Sequence, residues 1–294
     1  MLDSTSWPRK VFVISNYTVL LGLSILCILP LIHLLSLSLS SNNAVAAGEV
    51  RFWPVDFTWK SYDFILSKPE FLKSLIVTLQ RVALGVTLNM VLTIMVAYPL
   101  SKEGAALKGR TVYVWLFVFT MLFSGGIIPL YMTIRSLGLL DSVWALVLHN
   151  AVSVFNVVIL LNFFRSLPKE LEEAALMDGA GHWRILWRIY VPLSTPSLAT
   201  LTLFAIVSHW NAWFDGILFM NSPTHYPLQS YLYTVVVGLD TLVKSNIDLE
   251  VIALVSDRTA RAAQIFLGAL PILIVYPFLQ RYFTKGIVLG SVKE

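Results

Sequence analysis

From Val11 to Ala47 the chain carries no Asp, Glu, Lys or Arg. A charge-free run of this length exceeds the roughly 17–25 residues that an α-helix needs to cross the hydrocarbon layer of a bilayer. Runs of the same kind recur along the chain, at about 17–39, 74–100, 112–134, 143–164, 193–214 and 265–283. Only structures that satisfy every backbone group internally survive in lipid, and apolar runs this long do so as helices. The expected fold class is therefore an all-α membrane protein, a single domain over 1–294 with six transmembrane helices. Composition agrees: 57% of the residues are hydrophobic and 13% charged, against about 25% charged in an ordinary soluble domain.

The fifth run contains His209 and Asn211, and the sixth contains Pro271 and Pro277. Proline is tolerated in a membrane helix where neighbours satisfy the freed carbonyl, and it often marks a bend. Basic residues favour the cytoplasmic side. An N-terminus inside places Arg9, Lys10, Lys102, Lys108, Arg110, Arg165, Lys169, Arg184, Arg188, Arg281, Lys285 and Lys293 in the shorter, inner segments. Fewer basic residues fall in the longer outer ones, so both termini are expected inside. Arg9-Lys10 ahead of the first run and Ala44-Val45-Ala46 behind it imitate a signal peptide with its cleavage site. A signal's apolar region runs only about 7–15 residues, so this stretch reads as an uncleaved first span. The outer segments 40–73 and 215–264 are long, and the aromatics of the first (Phe52, Trp53, Phe57, Trp59, Tyr62, Phe64) favour a folded segment at the membrane surface.

Several chemistries are excluded. The single cysteine, Cys27, permits neither a disulfide framework nor a thiolate metal site. The net charge of +4 is spread along the chain, whereas nucleic acid needs a clustered basic face. Gly104-x4-Gly109-Arg110-Thr111 imitates a phosphate loop, but it has Arg where the lysine belongs and no strand before it. The five histidines are dispersed, and no metalloprotease or serine-hydrolase motif is present. No catalytic residue, metal ligand or cofactor of its own is expected.

Polar side chains inside the spans are costly and face protein or water. Arg81 sits near the outer end of the second span, either snorkelling to the interface or facing an anionic substrate. Asn89, Asn150, Asn156, Asn162, His209 and Asn211 line a pathway or bond neighbouring helices. Trp210 and Trp213 stack on sugar faces or simply pack. Of these, Asn89, Asn156, Trp210, Asn211 and Trp213 are the candidate substrate-pathway residues. Asp215, just beyond the fifth span, contacts an external protein or bonds locally.

The inner segment 165–192 reads RSLPKELEEAALMDGAGHWRILWRIYVP. Pro168 suits a first helical turn, and Glu170, Glu172 and Glu173 complement the positive helix end beside it. Gly179 and Gly181 break the helix, and Trp183, Leu186, Trp187 and Ile189 form a second one leading to Pro192. Glu173-Ala174-Ala175, three residues, Gly179, nine residues, Ile189, one residue, Val191-Pro192 resembles the EAA motif of ABC importer permeases, departing only in Val191 for Leu. Phe163-Phe164-Arg165-x-x-Pro168-x-Glu170-Leu171, Trp210-Asn211-x-Trp213 and Gln280-Arg281-Tyr282-Phe283-x-Lys285-Gly286 resemble the maltose-type carbohydrate permeases. Phe123-Ser124-Gly125-Gly126-x-Ile128-Pro129 and Gly290-Ser291-Val292-Lys293 resemble a branch handling complex oligosaccharides and polysaccharide fragments, alginate importers among them.

That resemblance implies a type I ABC importer permease fold in the bacterial cytoplasmic membrane. It implies that 165–192 is a coupling helix, with Glu173, Ala174, Ala175, Gly179, Ile189 and Pro192 as its ATPase-coupling positions. The implied partners are a dimer of cytoplasmic ATP-binding subunits holding ATP and Mg, a second permease subunit and an extracytoplasmic sugar-binding protein. Two other readings remain at this level. An ion-gradient-driven transporter would need paired intramembrane carboxylates or broken helices in matching halves, and no Asp or Glu lies in the six runs. A membrane scaffold protein would move no substrate and need no ATPase.

Overall fold

The computed structural model describes residues 7–102, 107–243 and 258–291. Among them the regular secondary structure is entirely helical. The chain begins with α1 (Trp7–Ser38), α2 (Asn42–Ala46), α3 (Lys60–Leu66), α4 (Pro69–Ser101), α5 (Arg110–Leu122) and α6 (Ile127–Ser136). Next come α7 (Val143–Leu148), α8 (Val154–Ser166), α9 (Lys169–Met177) and α10 (His182–Ile185). A π-turn over Leu186–Tyr190 leads into α11 (Val191–Leu193), then α12 (Thr195–Asn211), α13 (Phe214–Phe219), α14 (Leu228–Val243) and α15 (Arg258–Ser291).

Helices α1, α4 and α15 each hold a continuous stretch long and apolar enough to cross a membrane. The other expected spans are interrupted helices. The run 112–134 breaks between α5 and α6, whose axes bend by 110°. Gly126 sits there at φ +90, a conformation that a Cβ makes costly. At 13 residues, α5 is about 20 Å long, short of the ~30 Å hydrocarbon layer. The run 143–164 is divided into α7 and α8, the latter capped by Ser153, whose hydroxyl accepts the Asn156 N–H at 3.4 Å. The run 193–214 starts at a bend of 82° between the segment ending at Leu193 and α12, with Pro192 and Pro196 on either side of it. Gly109, from the phosphate-loop imitation, caps α5 at φ +76; Gly104 lies outside the described residues, as do Val292-Lys293 and 244–257 of the second outer segment.

The chain's contacts group into two units, 1–69 with 234–270 and 70–233 with 271–294. In the first unit α1 is exposed along most of its length, as a helix facing lipid or another subunit would be. The segment after it is folded. Ser36 donates to the Phe52 carbonyl at 2.7 Å, and the Thr58 N–H donates to the Leu39 carbonyl at 2.9 Å. Ala44 and Val45 of the cleavage-site imitation are buried with Val50 against Leu37 and Val55. Thr259 accepts from the Ser61 hydroxyl and donates to Asn42, each at 2.7 Å, joining α2, α3 and α15.

The second unit is organised by α4, whose polar and small residues Ser74, Thr78, Arg81, Gly85, Asn89, Thr93 and Ala97 are buried. They recur every three or four positions and so share one face. The opposite face carries exposed Ile76, Leu79, Leu84, Val91 and Met95. This is the arrangement a membrane helix needs, with apolar side chains to lipid and small or hydrogen-bonding ones to its neighbours. One core joins α4 (Ile94, Ala97, Tyr98, Leu100), α8 (Val157, Leu160, Leu161, Phe164) and the segment 185–190 (Ile185, Leu186, Tyr190). A second joins Ile134, Ala145, Leu146, Phe219 and Met220. Beside it Asp141, at φ +62, accepts the Asn221 N–H at 3.0 Å and pairs with His225 at 3.0 Å, fastening the α6–α7 turn to the segment after α13.

Candidate functional site

The loop after α8 is built as two short helices joined by a defined turn. Helix α9 starts after Pro168, with Glu170 and Glu172 in its first turn, where carboxylates favour the positive end of the helix dipole. It stops at Gly179, φ +75. The Ala180 N–H donates back to the Ala175 carbonyl at 2.9 Å, and the Gly179 N–H to that of Leu176 at 3.0 Å. That double bond is a Schellman cap. It explains three residues at once: Gly179 takes the left-handed position, while Ala175 and Ala180 are its small apolar partners against the core.

The second half of the loop turns inward. In the π-turn the Val191 N–H reaches back five residues to the Leu186 carbonyl, a widening that directly precedes Pro192, which has no N–H to donate. Ile185, Leu186 and Tyr190 are buried, and Ile189 packs against the same core. The outward face is different in kind. Glu173 and Ala174 are exposed, and so are the large apolar side chains of Leu176, Met177 (88%), Trp183 and Trp187.

Glu172, one residue before the motif, points the other way. Its carboxylate accepts from the Lys102 ammonium at 2.6 Å and from the Tyr190 hydroxyl at 2.5 Å. Burial by itself would raise the Glu172 carboxyl, but those hydrogen bonds and the Lys102 charge outweigh it and hold its pKa below the ordinary value. Burial pulls the Lys102 pKa down, against the opposing pull of Glu172. Two guanidinium groups converge on the carbonyl of Leu100 at the end of α4, Arg110 at 2.9 Å and Arg165 at 3.4 Å, where cations complement the negative helix end.

Among the pathway candidates, Asn89 and Asn156 meet. The Asn156 amide donates to Asn89 at 3.3 Å, and the Asn89 amide donates to the Ala151 carbonyl at 3.3 Å. Both line a cavity of about 280 Å³ together with Asn150, Ser153, Ser208 and His209. The lining of that cavity includes neither Trp210, Asn211 nor Trp213. Trp210 is buried, Asn211 is exposed, and Trp213 stacks on Tyr233 with ring centroids 4.2 Å apart. Within the cavity wall the His209 ring packs directly on Gly85 of α4, where a Cβ would sit 2.6 Å from it. Among the described residues no group of three His, Cys, Asp or Glu could hold a metal ion.

Arg81 and Asp215 are a bidentate pair: the guanidinium donates to Asp215 Oδ1 at 3.0 Å and also to Oδ2, with a further bond to the Ala212 carbonyl at 3.3 Å. His149 lies 3.6 Å from the same carboxylate. Arg81 is 1% exposed, so it does not snorkel to the interface. Asp215 bonds within the chain.

A helical unit of this kind, with a two-helix loop inserted between spans, matches a known family model. Residues 70–289 fit the model of the binding-protein-dependent transport system inner membrane component. The chain belongs to that family. It has the type I permease fold of ABC importers, and it is a multi-pass inner-membrane permease. Protein LplC of Bacillus subtilis strain 168 is 40% identical over 284 residues, covering 97% of this chain and 95% of LplC. YtcP of the same organism, described as a polygalacturonan/rhamnogalacturonan transport system permease, is 37% identical over 285 residues, 97% of this chain and 99% of YtcP. The crystal structure of a bacterial ABC transporter involved in import of the acidic polysaccharide alginate contains a chain with TM-score 0.85 and 34% identity, covering 96% of this chain and 99% of that one.

For this permease, the sequence pointed to the loop but missed what holds it. Lys102 and Glu172 are far apart in the chain, and a run of three glutamates does not say which one turns inward. The Arg81–Asp215 pair did leave a signal. A guanidinium within a span with no carboxylate beside it needs a counter-charge, and Asp215 at the end of another span was the acid available.

Proposed function

We propose that this ABC importer permease carries a carbohydrate, an oligosaccharide or polysaccharide fragment, across the cytoplasmic membrane, driven by a separate ATP-binding subunit docked on the loop 165–192. The observation that carries the proposal is the two-faced loop. Its inner face is fixed to α4 and α8, while its outer face offers the Glu173 carboxylate beside Leu176, Met177, Trp183 and Trp187. Exposed large apolar side chains interspersed with charged ones fit a protein partner, and Gly179 forms the turn between the two helices.

In this mechanism ATP, bound with Mg in a dimer of the partner subunit, closes that dimer and moves the docked loop. The loop carries the cytoplasmic ends of α4 and α8 with it, and the pathway opens to the outer side. A sugar-binding protein delivers substrate there, and a second permease subunit supplies the other half of the pathway. Both termini lie in the cytoplasm, by the distribution of basic residues. The cavity at Asn89, Asn150, Ser153, Asn156, Ser208 and His209 presents amides and hydroxyls suited to sugar hydroxyls. Its 280 Å³ falls just below the range of ligand pockets, about 300–1,000 Å³, so it takes only part of a long substrate. The acidic polysaccharides named for the alginate importer and for YtcP are the first substrates to try.

The test is uptake by the reconstituted complex. Glu173→Lys reverses the charge at the dock. Gly179→Pro is incompatible with φ +75, since proline is held near −65°. Each is expected to abolish ATP-driven uptake while the chain still inserts in the membrane. Wild-type coupling in both variants would reject the loop as the point of energy entry.

A further inference from the structure

The loop is joined to the membrane helices by apolar packing, by the Arg165 bond to the Leu100 carbonyl and by a cluster of polar contacts around Lys102. Lys102 follows directly on the last residue of α4. Its ammonium donates to Glu172 of α9 at 2.6 Å and to the Tyr190 hydroxyl of the π-turn at 3.0 Å. It also sits 4.1 Å from the ring centroids of both Tyr98 and Tyr190. The Tyr190 hydroxyl donates its own proton to the second Glu172 oxygen at 2.5 Å, so Lys102, Glu172 and Tyr190 close a ring of three hydrogen bonds. Tyr98, on α4, adds a contact from its hydroxyl to His182 Nδ1 at 3.3 Å at the start of α10. The Lys102 side chain is only 12% exposed.

We propose that Lys102 is a positioning residue that makes both halves of the coupling loop move as one body with the cytoplasmic end of α4. The inference rests on reading 165–192 as the coupling loop. Apolar packing of Ile185, Leu186 and Tyr190 is non-directional and lets surfaces slide. Charge-assisted hydrogen bonds have short, directed geometry and resist sliding. An ammonium suits the position because its three donors radiate from one point, so one group reaches α9 and the π-turn together while its charge rests between two tyrosine faces. The π-turn contributes by placing Tyr190 on the inner side of the loop. Without the ammonium, a push on α9 is absorbed by movement of the loop before it reaches α4.

The experiment has two arms, both on the full-length chain. In the first, Cys27→Ser removes the native thiol, and spin labels are placed at Met95→Cys on α4 and Met177→Cys on α9, both exposed positions. With Lys102 present, in lipid nanodiscs, the label-to-label distance is expected as one narrow population. Lys102→Met and Glu172→Gln are expected to broaden it or add a second population, and Lys102→Arg to restore the narrow one. An unchanged distribution in Lys102→Met overturns the proposal. In the second arm, the complex with its ATP-binding subunits is reconstituted, and substrate moved per ATP hydrolysed is measured. Lys102→Met is expected to keep the ATP-binding subunit and hydrolyse ATP, while that ratio falls at least about fivefold; an unchanged ratio overturns the proposal. The first arm involves no ATP or sugar. Failure of the wild-type complex to transport would therefore count against the functional reading and leave the distance result standing on its own.

Discussion

Arg81 and Asp215 show most clearly how a single substitution should act. Both are largely withdrawn from solvent, with side-chain exposures of 2% and 12%. Removing one partner of a buried pair leaves an uncompensated charge, at a cost of about 3–5 kcal/mol. Asp215→Asn and Arg81→Met are each expected to lower the thermal midpoint of the purified permease sharply. The double variant Arg81→Met with Asp215→Leu is expected to recover much of the loss, and additive losses in a double-mutant cycle would refute the coupling. Gly216 tests packing in the same neighbourhood. A Cβ there would meet Ser230 and come within 2.8 Å of Pro227 Cδ, while Ser230 is held by its bond to the Trp213 carbonyl at 2.6 Å. Gly216→Ala is expected to destabilise by about 1–3 kcal/mol, as overpacking does, read from the same melting curves. The Gly216 effect left no mark in the sequence, and the Arg81 pairing left only part of one. Composition flagged Arg81 as costly in a span, but pairing depends on which helices touch. Gly216 looked like any loop glycine until α14 lay against it.

The loop 165–192 was the most legible element and the broken spans the least. Its Ala175 and Gly179 sit where the Schellman cap needs them, and Pro192 follows directly on the π-turn; Glu173 and Ala174 are exposed and take no part in either. Gly179→Ala keeps the side chain small but holds a Cβ at φ +75, a cost of about 1–2 kcal/mol. The amides of 174–180 are expected to lose hydrogen-exchange protection accordingly, and unchanged protection would show that the turn is not strained. The Glu172 carboxyl supplies a pH test. Its folded-state pKa is held below the ordinary value of 4.5, so its stabilising contribution is present in full above that value. The contribution is lost as pH falls through the lowered folded value. Protection of 169–190, corrected for intrinsic rates, is expected to fall on acidification below about 4.5. Glu172→Gln should be less protected at neutral pH and less sensitive to acid. The breaks at Phe123–Gly126 and 149–153 escaped notice for a simple reason. A window that counts apolar side chains does not register a glycine at φ +90 or a serine cap, and both short helices on either side of each break are apolar.

Taken together, the chain joins a two-faced loop to a helix whose buried side carries polar and small residues, and a cavity lined by polar side chains and by Phe155 and Phe204 lies along that side. Hydropathy alone identified a membrane protein. The loop's spacing, and then membership of the binding-protein-dependent transport family, made it an importer permease. The family is one of transport permeases. On the function proposed above, the energy enters from a separate ATP-binding subunit through 165–192. Uptake of a labelled acidic oligosaccharide into proteoliposomes decides this. The chain is reconstituted with its second permease and binding protein, with and without the ATP-binding subunit and ATP. The expected result is uptake only when that subunit and hydrolysable ATP are both present, with Glu173→Lys abolishing it. Uptake by the membrane chains without that subunit, sustained by an ion gradient, would contradict the account.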